Sequence, residues 1–144
     1  MGGHAWTYFV PYQPDILAAM QALRRREFEA GRYNPAVRFA MDRNAPSPGA
    51  QHASIEEALE ASDADGTRSI LDMERIAQTP DLAVVVPLPL EQLEELYGTQ
   101  QPTRNMIEQN MDFLDDIERG EGVYVVVYEE GSPSGIFFAG FSYD

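Results

Sequence analysis

The stretch that decides the fold is GVYVVVYEEGSPSGIFFAGFSY, residues 122–143, in which two apolar runs meet across one turn-rich segment. Val123, Val125 and Val127 share one parity and Tyr124, Val126 and Tyr128 the other. Glu129, Glu130, Gly131, Ser132, Pro133 and Ser134 supply turn chemistry before the chain returns through Ile136, Phe137, Phe138, Phe141 and Tyr143. A strand with one wet face alternates apolar and polar residues, whereas here neither parity is polar. The pattern predicts a β-hairpin that is central in its sheet and covered on both surfaces. An isolated hairpin is marginal, so further strands and a helical layer must join it.

Working outward, residues 82–86 (LAVVV) form a fully apolar run stopped by Pro87 and Pro89, which reads as a buried strand. Residues 90–97 follow as a short helix closed by Gly98. Thr103 is placed to cap the longest helix, with a stripe of Ile107, Met111, Leu114 and Ile117 leading into the hairpin. At the other end of the chain, residues 5–12 (AWTYFVPY) read as an N-terminal strand whose Pro11 favours an edge. Asp15 then opens a helix with Ile16, Met20 and Leu23 on its inner stripe, and Gly31 ends it. The Arg24, Arg25 and Arg26 triplet is read as a solvated face paired with Glu27 and Glu29.

Residues 32–53 hold Pro35, Pro46, Pro48 and Gly49 without a sustained period and are expected to form a long loop. Ser54 and Glu57 make a capping box for a short helix, and residues 67–77 resume as helix around Ile70, Met73 and Ile76, with a short strand starting at Ile70 and Leu71 as the alternative. The expected fold is therefore α+β, one domain over residues 1–144, with a mostly antiparallel sheet of about four strands and helices chiefly on one face.

Ten basic against twenty-four acidic side chains give a formal net charge of −14, which disfavours nucleic acid and anionic membranes; it attracts a basic protein surface, although acidity of this kind is more often a solubility device. All ten basic residues are arginine, so Schiff-base chemistry and a P-loop lysine are excluded; with no cysteine, so are disulfides and thiol nucleophiles. No apolar run approaches the length of a membrane helix, and the first residues lack a signal core, so a cytoplasmic location is expected.

Candidate chemistry is sparse. Asp63, Asp65, Gly66 and Asp72 overlay part of a calcium loop, but Ala61 stands at the first ligand position and Arg68 is close by, so an acidic turn is the better reading. Glu108, Asp112, Asp115 and Asp116 fall on one face of the predicted long helix and form a candidate acidic patch for a basic partner. His4 and His52 have no signature neighbours, and no hydrolase or nucleotide motif occurs. Neither a cofactor, a metal site nor a catalytic residue is assigned. Trp6, Tyr8, Tyr33, Arg38, Tyr124 and Tyr128 are the candidate contact face.

The blocks WTYFVPYQ (6–13), GTRSILDM (66–73) and residues 122–144 resemble those of a group of small, uncharacterised bacterial proteins. That resemblance spans nearly the whole chain and implies a bacterial, single-domain origin; it brings no activity or site residue with it. Three functional readings follow. The first is a non-catalytic, immunity-like module that neutralises or regulates a basic bacterial protein. The alternative is a small enzyme or ligand-binding domain with its pocket between the C-terminal hairpin and the 32–53 loop. The third is homodimerisation through the second sheet face.

Overall fold

The computed structural model describes residues 4–33, 49–62 and 67–143. Its centre is a five-stranded sheet: β1 (Ala5–Pro11), β2 (Arg75–Ile76), β3 (Val84–Pro87), β4 (Gly122–Glu129) and β5 (Ser132–Phe141), in the spatial order β1-β5-β4-β3-β2. The β1, β5 and β4 strands pair antiparallel, and β4, β3 and β2 pair parallel. The sheet is thus α+β in context but mixed and five-stranded, in place of the expected four mostly antiparallel strands. The strand missed in the sequence is β2, too short to carry a period.

The hairpin is central, as its two apolar parities require. Glu130 and Gly131 both have positive φ, 50° and 79°, which is the twist a two-residue hairpin turn demands. A register shift at Val127 and Tyr128 leaves Ser134 as the extra residue, and its hydroxyl donates to the Val127 carbonyl. Val123, Val125, Val127, Phe137 and Ala139 face one core, while Ile136, Phe138 and Tyr124 face another. Burying a side chain such as Phe137 or Phe138, both 0% exposed, stabilises the sheet by roughly 2–3 kcal/mol.

Each face has its own helical layer, which corrects the expectation of helices chiefly on one side. On the first face α1 (Ile16–Ala30) and α2 (Ile55–Ala61) cover Trp6, Tyr8, Val85, Ile136 and Phe138. On the second, α3 (Leu90–Tyr97), α4 (Arg104–Gln109) and a 3-10 turn (Asp112–Asp116) set Leu93, Ile107 and Phe113 against the valines of β3 and β4. The second layer is the crossover between parallel strands β3 and β4, so it must lie across the sheet.

Local signals place the helix ends. The Asp15 carboxylate accepts from the Ala18 amide at the start of α1, and Gly31 closes it with φ 78°. Ser54 caps α2 through the Glu57 amide, and the Glu57 carboxylate accepts in return from Ala53, one residue earlier than a standard capping box. The helix expected over residues 67–77 is instead one 3-10 turn, Ile70–Asp72, followed by β2. Thr67 and Ser69 explain this: their side chains bond each other at 2.7 Å, Ser69 Oγ accepts from Leu71, and Asp72 holds the Thr67 amide at 2.8 Å, so local polar bonds replace the helical ladder.

The long helix expected after Thr103 also ends early. Asn110 is extended (φ −148°, ψ 105°). Its Nδ2 donates to Leu96, its Oδ1 accepts from Asp112, and its carbonyl accepts from the Tyr97 hydroxyl at 2.6 Å. Those bonds to α3 and to the next turn outweigh continuation of α4. Among the described residues no helix is long and apolar enough to cross a membrane.

Candidate interaction surface

The crossover layer concentrates charge. Residues 88–121 contain nine Asp or Glu and two arginines, Arg104 and Arg119, so this layer alone carries half of the formal net charge of −14. Eight of the nine carboxylates, Glu91, Glu94, Glu95, Glu108, Asp112, Asp115, Asp116 and Glu118, are exposed. Glu121 is part-buried; burial, with the charges of Glu118 and Asp81, raises its carboxyl above the ordinary 4.5. The opposite layer is less acidic: residues 15–33 hold four arginines and three carboxylates, and α2 adds Glu56, Glu57 and Glu60.

Within that layer Glu108, Asp112, Asp115 and Asp116 all reach solvent, but not from one helix face. Glu108 is on α4 and bonds Arg104 at 3.5 Å, while the three aspartates follow the break at Asn110. In a 3-10 turn residues three apart eclipse, so Asp112 and Asp115 are the closest-aligned pair. Glu91, Glu94 and Glu95 of α3 belong to the same surface and were not singled out from the sequence. Their three- and four-residue spacing opposite buried Leu93 is the signal that would have found them.

The aromatic candidates fall largely into the core. Trp6, Tyr8 and Tyr33 are 4%, 8% and 0% exposed and, together with half-buried Tyr124, belong to the cluster beneath α1. The sheet face on which homodimerisation was expected is the face that α1 and α2 cover. Tyr8 accepts from the Ile70 amide; the Tyr33 hydroxyl accepts from the Gln51 amide and lies 2.9 Å from His52 Nδ1. Gly49 donates to Ala30, so residues 49–52 are tied to the end of α1. Arg38, and the Asp63, Asp65 and Gly66 part of the calcium-like turn, lie outside the described residues. Among the described residues no group of three or more His, Asp or Glu is arranged around a cation position.

The arginine triplet divides. Arg24 is buried, contrary to a solvated face, and donates to the Leu71 carbonyl at 3.0 Å and to Gln21. Burial draws its guanidinium below its ordinary value against the opposing charges of Glu74, Glu56 and Asp72. Glu27 is also buried and accepts from Arg26 and from both Arg32 Nε and Nη2.

Tyr128 leads to a groove of about 570 Å³ between the end of β1, the hairpin tip and the start of α4. Phe9, Val10 and Val127 line it together with Glu129 and Glu130, and Arg104 stacks 4.2 Å from the Phe9 ring centre. Its far wall is α4; residues 34–48, most of the segment beside which the pocket was expected, lie outside the described residues. No short-range sequence pattern joins Phe9 to Arg104, so the groove is invisible before folding.

These features define an acidic mixed-sheet α+β domain with a polarised charge distribution. No family model matches the chain, and the comparisons with curated proteins and with solved structures found no match.

Proposed function

We propose that this protein is a non-catalytic interaction module that binds a basic protein, in the manner of an immunity or neutralising partner, through the acidic α3–α4 layer. The observation that supports the reading is the uneven spread of charge: one helical layer exposes eight carboxylates with two arginines among its residues, while residues 15–33 and α2 on the opposite layer hold six carboxylates and four arginines. A single-sign surface of this kind steers an oppositely charged partner and acts mainly on the encounter rate. Because such steering is screened within roughly 8–10 Å at physiological salt, the association should slow as salt is added.

The test compares wild type with a triple charge reversal, Asp112→Lys, Asp115→Lys and Asp116→Lys, as baits in native bacterial cytoplasm at low salt. The expected result is one stoichiometric basic protein retained by wild type and lost by the variant, with a purified association rate that falls at least about tenfold between low and high salt. Recovery of no stoichiometric basic protein, or equal retention by both baits, removes the reading.

The groove supports a second reading, a small-ligand or catalytic site, since its volume of about 570 Å³ is within the range of ligand pockets. A small molecule whose binding is lost in Tyr128→Ala, with the acidic layer intact, would favour it over the first.

A further inference from the structure

We propose that β1 is a self-association edge: it pairs antiparallel with β1 of a second copy of this chain, centred on Thr7, to make one sheet continuous across two protomers. The phase of the β1–β5 ladder carries the argument. Ser142 donates to the His4 carbonyl at 3.0 Å, and the register pairs Trp6 with Gly140, Tyr8 with Phe138 and Val10 with Ile136. On the other side of β5, Phe141 bonds Gly120 and Glu121, which fixes the same alternation. In an antiparallel ladder alternate residues bond the neighbour and the rest point away. The backbone groups of Ala5, Thr7 and Phe9 therefore face outward at the end of the sheet, beyond which the described residues form no further strand.

Pro11 is the next residue in that outward series. Its missing N–H costs the β5 ladder nothing, and it ends the run of free donors. This selects one register for a two-fold pair. With Thr7 opposite Thr7, Ala5 meets Phe9 of the second copy and every outward N–H and C=O of residues 5, 7 and 9 finds a partner. With Phe9 at the centre, Pro11 would oppose Thr7 and a bond would be lost on each side.

Charge explains why the occupant is a second copy. Edge strands are ordinarily guarded by charged side chains, yet residues 4–14 contain no Asp, Glu, Lys or Arg. Two copies, each of net charge −14, repel across most approaches, and across the α3–α4 layer most strongly. The strand itself carries no charge, and Arg104, which stacks on Phe9, is a cation, so the repulsion is least at this edge. Ala5 and Thr7 are small and exposed, and Tyr12, 37% exposed, follows directly on the strand with apolar surface. This inference is independent of the basic-partner reading.

The test uses sedimentation equilibrium of wild type, Thr7→Lys, Thr7→Glu and an equimolar mixture of the two variants. Thr7 is exposed, so both variants keep the monomer fold, which near-ultraviolet dichroism of Trp6 verifies. Wild type is expected at twice 16.1 kDa, each variant alone at 16.1 kDa, and the mixture at the doubled mass again, because unlike charges then meet at the two-fold. Amide exchange should show residues 5, 7 and 9 protected in wild type and free in Thr7→Lys, with 6, 8 and 10 protected in both. A wild-type monomer at about 100 μM, an unchanged mass for Thr7→Lys, or free exchange at residues 5, 7 and 9 in a wild-type dimer each overturns the proposal. Capture of a different chain's strand by a monomeric wild type does so as well.

Discussion

The indole of Trp6 lies across the backbone of Gly140, its register partner, so closely that a Cβ placed there would sit 2.4 Å from the Trp6 ring. Gly122, which pairs with Gly140 from the other side, leaves 3.0 Å to the same indole. The two glycines, on neighbouring strands β5 and β4, form a shallow seat, and Trp6 of β1 fills it. Its Nε1 is buried with no acceptor among the described residues, so shape and apolar contact hold the ring in place.

Gly140→Ala is therefore expected to destabilise by about 3 kcal/mol, since the new methyl would meet both the ring and the Glu121 carbonyl and the latter cannot swing aside. Gly122→Ala should cost only about 1 kcal/mol, because its nearest contacts are looser and include the flexible Met73 side chain. Denaturant midpoints give the difference, and Trp6, the only tryptophan, reports ring displacement through its emission. Equal costs for the two substitutions would contradict the seat.

Much of this architecture is legible in the sequence wherever one local cause suffices. The bounds of α3 follow from a proline before it and Gly98 after it, and the hairpin follows from two apolar parities around Glu130 and Gly131. Arg24 shows the limit of composition. It looks solvated beside Arg25 and Arg26, yet its position four residues after Met20 puts it on the buried stripe, where the Leu71 carbonyl receives it. Asn110 shows another limit, because the bonds that stop α4 come from Leu96 and Tyr97 and exist only after α3 has docked. The aromatic residues of β1 signal burial without saying by what, and α1 supplies that cover. The acidic surface was half visible: the charges are countable, but their gathering on one layer depends on the crossover between β3 and β4.

Glu27 sets an acid limit on stability. Burial alone would raise its carboxyl, but hydrogen bonds and charge from Arg32, with a lesser contribution from Arg26, outweigh it and hold the carboxyl below the ordinary 4.5. A depressed acid contributes stability that is present above the unfolded value and lost as pH falls through the folded one. Glu27→Gln should cost roughly 2 kcal/mol at neutral pH, as it leaves Arg32 and Arg26 facing a neutral group in a buried site. Thermal midpoints of wild type and variant, followed downward in pH, should begin to converge below about 4.5 and meet only once the pH has passed the lower folded value. A gap that persists unchanged at low pH would mean that packing, and not charge, makes the contribution.

Tyr97 sets the alkaline limit and tests the break in α4. Its hydroxyl donates to the Asn110 carbonyl at 2.6 Å, and burial, with the nearby Asp112 carboxylate adding to it, pushes its pKa from 10.0 up to about 12. For an acid whose folded value is raised, the neutral form stabilises the fold and that contribution is lost as pH rises above the unfolded value. Tyr97→Phe removes the bond at every pH and should cost about 1 kcal/mol. Its stability should then fall less steeply than wild type above pH 10.0, the ordinary tyrosine value. Amide exchange locates the effect: the amides of residues 110–116, which depend on Asn110 staying extended, should exchange faster in Tyr97→Phe while those of β4 and β5 keep their protection. Parallel loss across the whole sheet would show that Tyr97 supports the core at large, and would detach the Asn110 break from it.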